Sequence, residues 1–342
     1  MKSFYELSLN DLNHILASSG LNSKIATHLY NWHYKKKKLT PYTDHISDEA
    51  QNFIKTTFSF SLPEISTVQE SSDKTVKFLF TLKDGYKVET VLIPFHKKYS
   101  ICVSSQVGCA MNCSFCFTGT QGLKRSLAAY EIVGQYLQAW LWLKENRPGE
   151  ENISNIVFMG QGEPLHNFDS VKKACEIFLS QSGFSIGAQK ITISTAGYLP
   201  GLKKWADEIP GVNLALSLHS TNTEIRNKLI PINKAFPLSE VLDCIEDLPL
   251  AKKQFVTYEY LLIDDLNDSK TDAHSLGKLL QGKRAYINLI PFNPFPGSEY
   301  KRPQLTKVEA FKKALDTYNV PTLIRTTKGD DVLAACGQLN TI

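Results

Sequence analysis

From about residue 98 the chain repeats one pattern: a short, nearly continuous apolar run, then an amphipathic stretch long enough for a helix. The runs are YSICVSSQ, NIVFMG, KITISTAG, VNLALSLHS, FVTYEYLLI and AYINLIPFNP, with segments such as AAYEIVGQYLQAWLWLKENR and FDSVKKACEIFLSQS between them. Apolar strands alternating with helices predict a parallel sheet covered by helices. Six such units predict a partial (β/α)6 barrel; an open doubly wound sheet would give the same alternation. TLIRTTKG, near residue 325, is a further strand candidate leading into the tail.

The preceding residues have a different texture. SLNDLNHILASSG predicts a short helix with Asn10 or Asp11 as N-cap and Gly20 as terminator. TVKFLFTL and YKVETVLIP, separated by KDG, predict a hairpin. The expected organisation is α/β in three parts: a small α+β N-terminal accessory domain over 1–95, the barrel over 96–300, and a C-terminal extension over 301–342. The chain has 342 residues, 42% hydrophobic and 21% charged, enough for one large core plus an appendage. No apolar run approaches the roughly 18 residues of a membrane span, and MKSFYELSLNDL lacks a signal peptide's apolar core. An intracellular, cytoplasmic protein without membrane attachment is expected. The net charge of +4 is compatible with a nucleic-acid partner without requiring one.

Small and polar residues recur just past the ends of the strand candidates: Gly162 and Glu163, Ser194, Ser217 and His219, and Asn293. Each alone reads as a turn former or cap. Four strands ending this way point to a site, because parallel β/α folds build their sites at that end of the strands. GCAMNCSFCFTG, just after the first apolar run, adds Cys109, Cys113 and Cys116 at C-x3-C-x2-C spacing. Structural zinc sites usually add a second ligand pair, and no C-x2-C or H-x3-H follows. The three thiolates suit a [4Fe–4S] cluster with one iron left open for a ligand. Of the seven cysteines, Cys175 and Cys244 lie on helix-like segments at apolar-face spacing and read as core.

The cysteine spacing, with Phe115 before the last cysteine, resembles the signature of radical S-adenosylmethionine (SAM) enzymes. GQGEP at 160–164 resembles their glycine-rich segment that contacts the SAM amino group. That superfamily binds SAM at the open iron and cleaves it to a 5'-deoxyadenosyl radical. SSQVGCAMNCSFC, MGQGEPLHN, ITISTAG, LALSLHS, IPFNP and KGDDVLAACGQL together resemble the RlmN/Cfr family of radical SAM adenosine methyltransferases. The resemblance implies that Cys336 carries a methyl group as S-methylcysteine, on a terminal segment expected to be mobile. It implies Glu89 of the VET segment as proton acceptor and Cys102 as the resolving thiol that forms a disulfide with Cys336. By residue type alone, Glu89 would pass as an exposed strand carboxylate and Cys102 as core. For SAM contacts it implies Gly162, Glu163, Ser194, Ser217, Leu218, His219 and Asn293.

The implied substrate is 23S rRNA, methylated on carbon 2 of an adenosine, with a tRNA adenosine as a second target. The implied partners are an electron donor such as flavodoxin or ferredoxin, and the enzyme is expected to act as a monomer. NWHYKKKKLTPY interleaves Trp32, His33 and Tyr34 with Lys35 to Lys38, and Lys124 and Arg125 follow the cysteine loop; these are candidate RNA contacts. GQG departs from the carbon-2 branch's usual Met between the glycines. The alternatives are a Cfr-type carbon-8 methyltransferase, a radical SAM enzyme without a methyl carrier, and an RNA-binding protein with a structural cluster.

Overall fold

The computed structural model describes residues 1–342 except 43, 45, 253 and 342, and the side chain of 206. Ten strands form one sheet: β1 (Glu64–Glu70), β2 (Val76–Thr81), β3 (Lys87–Phe95), β4 (Lys98–Cys102), β5 (Ile153–Phe158), β6 (Ile191–Thr195), β7 (Asn213–Ser217), β8 (Val256–Leu262), β9 (Ala285–Pro291) and β10 (Thr322–Ile324). Their order in space is their order in the chain. β1 to β4 pair antiparallel, so the predicted hairpin is β2–β3, with Leu79 opposite Glu89. β4 to β10 are all parallel. The hairpin strands before residue 95 thus continue the barrel sheet.

The helices are α1 (Leu9–Ser18), α2 (Lys24–Tyr30), α3 (Asp48–Thr57), α4 (Ala129–Asn146), α5 (Phe168–Leu179), α6 (Leu199–Glu208), α7 (Thr223–Leu229), α8 (Leu238–Glu246), α9 (Lys270–Leu280) and α10 (Leu305–Asp316). One or two cross between each successive parallel pair, which gives the six expected β/α units and β10. The first helix starts earlier than expected. Ser8, not Asn10 or Asp11, is the N-cap: its hydroxyl accepts from the Asp11 amide and the Asp11 carboxylate accepts from the Ser8 amide, a reciprocal cap that satisfies two otherwise orphaned N–H groups. Phe4, Tyr30, Tyr34 and Phe58 join the helical N-terminal part to the main core. Among the described residues, no helix is long and apolar enough to cross a membrane.

The parallel strands curl. In a flat sheet β4 and β10 would stand six strand spacings apart, about 29 Å. Instead Cys102 of β4, Asn288 of β9 and Leu323 of β10 line one cavity. The Arg325 side chain, just past β10, reaches the Met159 sulfur past the end of β5 at 3.8 Å. The strand-to-helix alternation therefore resolves to a partial barrel, and both strand ends of the array face a shared interior.

Candidate active site

The three cysteines sit on a loop closed at its neck by Gln106–Val107 pairing with Arg125–Ser126. The neck is so narrow that a Cβ on Gly108 would lie 1.9 Å from the Gly122 carbonyl oxygen, and Gly108 has φ +73°. Glycine alone fits there. Within the loop the amide of Cys116 donates to the Cys113 carbonyl and that of Gly119 to the Cys116 carbonyl. Phe117 stacks on Phe295 at 4.9 Å, and Phe115 meets His219 edge-on at 4.7 Å, which fixes the loop against the strand ends.

Cys109, Cys113 and Cys116 open into one cavity of about 150 Å³ with Gly162, Glu163, Ser194, Ser217, His219, Arg325 and Cys336. Burial raises all three thiols, that of Cys109 to about 12, so a metal centre is what would hold them as thiolates. The three sulfurs are not mutually within 4.8 Å; among the described residues only Asp264, Asp265 and Asp268 bring three metal-ligating atoms that close. On one tetrahedral zinc, thiolates would stand about 3.8 Å apart, given a bond of about 2.3 Å. The wider spacing on a single loop fits the separate iron corners of a cube.

The opposite wall is built by the glycine-rich turn. Gly162 has φ +100°, and a Cβ there would meet the Gln106 amide nitrogen at 2.7 Å. Glu163 accepts from the amides of Leu165 at 3.1 Å and Ala196 at 2.8 Å, tying the end of β5 to that of β6. Burial pushes its carboxyl up to about 7 against those hydrogen bonds. His219 (φ +57°) accepts the Leu261 amide on Nδ1 at 3.1 Å. Burial, with Arg226 nearby, holds its pKa down at about 3, so the ring is neutral and its proton is on Nε2. Arg226, itself fully buried, donates to the carbonyls of Ala196, Ser217 and Leu218, gathering the ends of β6 and β7. Leu218 does not line the cavity; its side chain belongs to the main core.

The C-terminal segment closes the site. Its expected looseness is not what the contacts describe. Phe117 N donates to Gly337 O at 2.7 Å and Thr118 Oγ1 to Leu339 O at 2.7 Å. Asn293 donates to the Cys336 carbonyl at 3.1 Å and accepts from Arg302 and Thr327. In this arrangement Asn293 lines the second cavity rather than the first and clamps the tail. Cys336 lines both cavities: the first with the three loop cysteines, the second with Cys102. Burial, with Cys336 close by, pushes the Cys102 thiol up to about 12, and Arg325 pulls it the other way.

Glu89 is buried rather than exposed. Its Oε1 pairs with Lys77 Nζ at 3.0 Å and its Oε2 accepts the Asn340 amide at 2.7 Å. Burial raises its carboxyl above the ordinary value, against Lys77 and Asn340. Val91, two residues on and on the same face, packs with Cys102, Ala334 and Leu339. Glu89, Cys102 and Cys336 thus come from β3, β4 and the tail to one side of the barrel.

Lys77, Arg226, Glu259, Arg325 and Gln161, whose Oε1 accepts the Glu89 amide at 2.8 Å, are not among the sequence candidates. A lysine inside TVKFLFTL was a usable signal: a charge in an apolar strand implies a buried partner. The proposed RNA contacts fare unevenly. His33 and Tyr34 are core residues. Arg125 is engaged by Asp84 and by Glu131 at 2.8 Å, which occupies its guanidinium. Trp32, with Lys36 and Lys38 over its ring, and exposed Lys35 remain at the surface. Cys175 is fully buried in the core, and Cys244 packs against it.

The radical SAM superfamily model matches residues 103–275, which hold the cysteine loop and strands β5 to β8. The dual-specificity RNA methyltransferase RlmN of Campylobacter concisus is 42% identical over 99% of this chain and 91% of its own length. The probable dual-specificity RNA methyltransferase RlmN of Aquifex aeolicus is 41% identical over 98% of this chain and 96% of its own. The crystal structure of a radical SAM methyltransferase from Sphaerobacter thermophilus superimposes with a TM-score of 0.91 at 34% identity, covering 99% of both chains. A three-cysteine loop facing a carboxylate-latched glycine turn, with a fourth cysteine brought over both, is accounted for by that kinship: the chain belongs to the RlmN family of radical SAM RNA methyltransferases.

Proposed function

We propose that this chain methylates carbon 2 of an adenosine in 23S rRNA, and an adenosine of tRNA, with Cys336 as methyl carrier. The observation that carries this reading is the position of Cys336 in the walls of both cavities, beside the loop cysteines in one and Cys102 in the other. Cys109, Cys113 and Cys116 would hold the [4Fe–4S] cluster, and Gly162, Glu163, Ser194, Ser217 and His219 would receive SAM, with the Leu218 backbone beside them. Asn293, a further SAM contact in the resemblance, supports the site by holding the Cys336 carbonyl. When bound, the cluster supplies the electron that cleaves SAM to a 5'-deoxyadenosyl radical.

The protein's part is to carry and release carbon. The Cys336 thiolate takes a methyl group from a first SAM by displacement. That S-methyl group then loses a hydrogen atom to the radical from a second SAM, and the carbon radical adds to adenine. The adduct gives back one electron, which the oxidised cluster would accept, and Glu89 takes the proton from carbon 2. Cys102 attacks the Cys336 sulfur, the carbon–sulfur bond breaks, and the released carbon is protonated to the methyl group. The Cys102–Cys336 disulfide left behind needs two electrons to reset. Each Glu89 oxygen holds one partner here, Lys77 on Oε1 and the Asn340 amide on Oε2, and the lone pairs left on the carboxylate would take the proton.

Residues 1–95 would serve as the accessory RNA contact. Lys37 lies over Trp140, which is eleven residues, about 16 Å, along α4 from its first residue Ala129. The lysine run would therefore meet phosphates well away from the target base. A flavodoxin or ferredoxin would supply electrons to the monomer. The test is mass spectrometry of nucleosides from unmodified rRNA after anaerobic incubation with reconstituted protein, reductant and deuterated-methyl SAM. Labelled 2-methyladenosine is expected. Labelled 8-methyladenosine would refute the carbon assignment, and deoxyadenosine formation with no methylated base would refute the substrate.

A further inference from the structure

Among the described residues, Glu259 is the glutamate that keeps a buried carboxylate oxygen without any hydrogen-bond partner, and it lines the cysteine cavity. The residue is 3% exposed. It lies within β8, in register with Ser217 of β7 and Asn288 of β9. Asn288 Nδ2 donates to Oε1 at 3.0 Å, which fixes the carboxylate and leaves Oε2 open. The amides of Leu218 and His219 both donate to the Glu259 carbonyl, so the turn presenting His219 is seated on this same residue. Arg325 lies near enough to favour the charged carboxylate, against the burial that disfavours it, without a hydrogen bond to it.

Leaving such an oxygen unpaired is costly, and a bound donor removes the cost. The other carboxylate and the imidazole on this wall are already engaged, Glu163 by two backbone amides and His219 Nδ1 by Leu261, which leaves Glu259 Oε2 as the charged acceptor beside the Ser194 and Ser217 hydroxyls. If the cavity receives SAM as proposed above, on which this inference rests, its methionine end goes to the cluster and the Gly162–Glu163 turn. The donors left are on the nucleoside. Two residues further along the strands, on the cysteine-loop side, Leu261 and Ile290 with Phe292 form an apolar wall suited to the face of an adenine. The adjoining sugar would then lie at the Ser217–Glu259 row. We propose that Glu259 accepts a hydrogen bond from a ribose hydroxyl of the adenosyl group, binding each of the two SAM molecules the reaction uses.

The test is equilibrium dialysis of reconstituted holoenzyme with SAM, S-adenosylhomocysteine, and the 2'-deoxy and 3'-deoxy forms of S-adenosylhomocysteine. Glu259→Ala should weaken SAM and S-adenosylhomocysteine by the same factor, about tenfold to a hundredfold. The loss should vanish for the deoxy form that lacks the bonded hydroxyl. Glu259→Gln, which keeps the volume and one acceptor, should lose less; its iron content and thermal midpoint, matched to wild type, let it stand in if the alanine variant fails to fold. A loss for SAM alone would overturn the proposal in favour of charge pairing with the sulfonium. An equal loss for the parent compound and both deoxy forms would make Glu259 a shaping residue only, and unchanged affinities in both variants would also overturn it. Wild-type holoenzyme that carries its cluster yet binds no SAM would instead refute the reading of the cavity.

Discussion

Lys77→Met should destabilise the protein in a way that depends on pH, because it strands Glu89. The pair is 3.0 Å long, with side chains 8% and 5% exposed, so water screens little of it. Removing one member of a buried ion pair costs about 3–5 kcal/mol when the other stays charged. Two contributions can be separated. Lys77 also donates to the Leu333 carbonyl at 3.3 Å, and losing that bond costs about 1 kcal/mol at any pH. The rest depends on the charge of Glu89, whose folded pKa already lies above its ordinary 4.5 because of burial, opposed by Lys77. A carboxyl raised on folding binds more protons in the folded state than in the unfolded one, so it subtracts stability as pH rises from about 4.5 through its folded value. Without Lys77 that value rises further. The difference between variant and wild type should therefore be small near pH 4.5, grow with pH, and level off above the variant's own folded pKa. Urea midpoints for wild type, Lys77→Met, Glu89→Gln and the double variant at pH 5 and 8 measure it. The double variant should recover most of the loss at pH 8. A penalty equal at both pH values, or one that Glu89→Gln fails to relieve, would refute the argument and make Lys77 a packing residue.

Other consequences follow from the tail and the surface. Asn293→Ala removes the amide holding the Cys336 carbonyl and strands partners at Arg302 and Thr327, at about 1–3 kcal/mol. Alkylation of Cys336 in the folded protein, followed by mass spectrometry, should be faster in this variant. Replacing Lys35, Lys36 and Lys38 with Gln should weaken RNA binding and flatten its salt dependence, by up to about 0.9 in slope for each phosphate no longer neutralised; an unchanged slope would remove this surface from the interface. His219, held neutral with its pKa at about 3 against an ordinary 6.5, costs stability as pH falls through that window. His219→Gln should therefore lose less stability than wild type between pH 7 and 5, read from thermal midpoints.

The chemistry of the cysteine loop was legible because it is local. Three cysteines within eight residues, a glycine turn one β/α unit later and the strand-to-helix rhythm are all short-range patterns, set by side-chain periodicity and turn stereochemistry. Through family resemblance, Glu89, Cys102 and Cys336 could also be singled out, though their residue types alone carried no such signal. The misses share one cause. Ser8 capping α1 and Arg125 holding Glu131 are decided by which neighbour a polar group finds, and several residues in each stretch could have served. His33 and Tyr34 look like a stacking platform in a lysine-rich run, yet the turn of the chain buries them among Phe4, Tyr5 and Phe60.

Read along the chain, the residues are enough to establish the kind of protein: a parallel β/α array with a three-cysteine loop after its first strand. Alternation and spacing survive in any arrangement of the strands, so they can be read without one. It took the folded arrangement to establish that Lys77 faces Glu89, that Cys336 stands between the loop cysteines and Cys102, and that Arg325 reaches Met159. These meetings join residues twelve to more than two hundred positions apart. They depend on strand register and on the curl that brings β10 round to β4, and burial then converts each meeting into a charge or proton held in place.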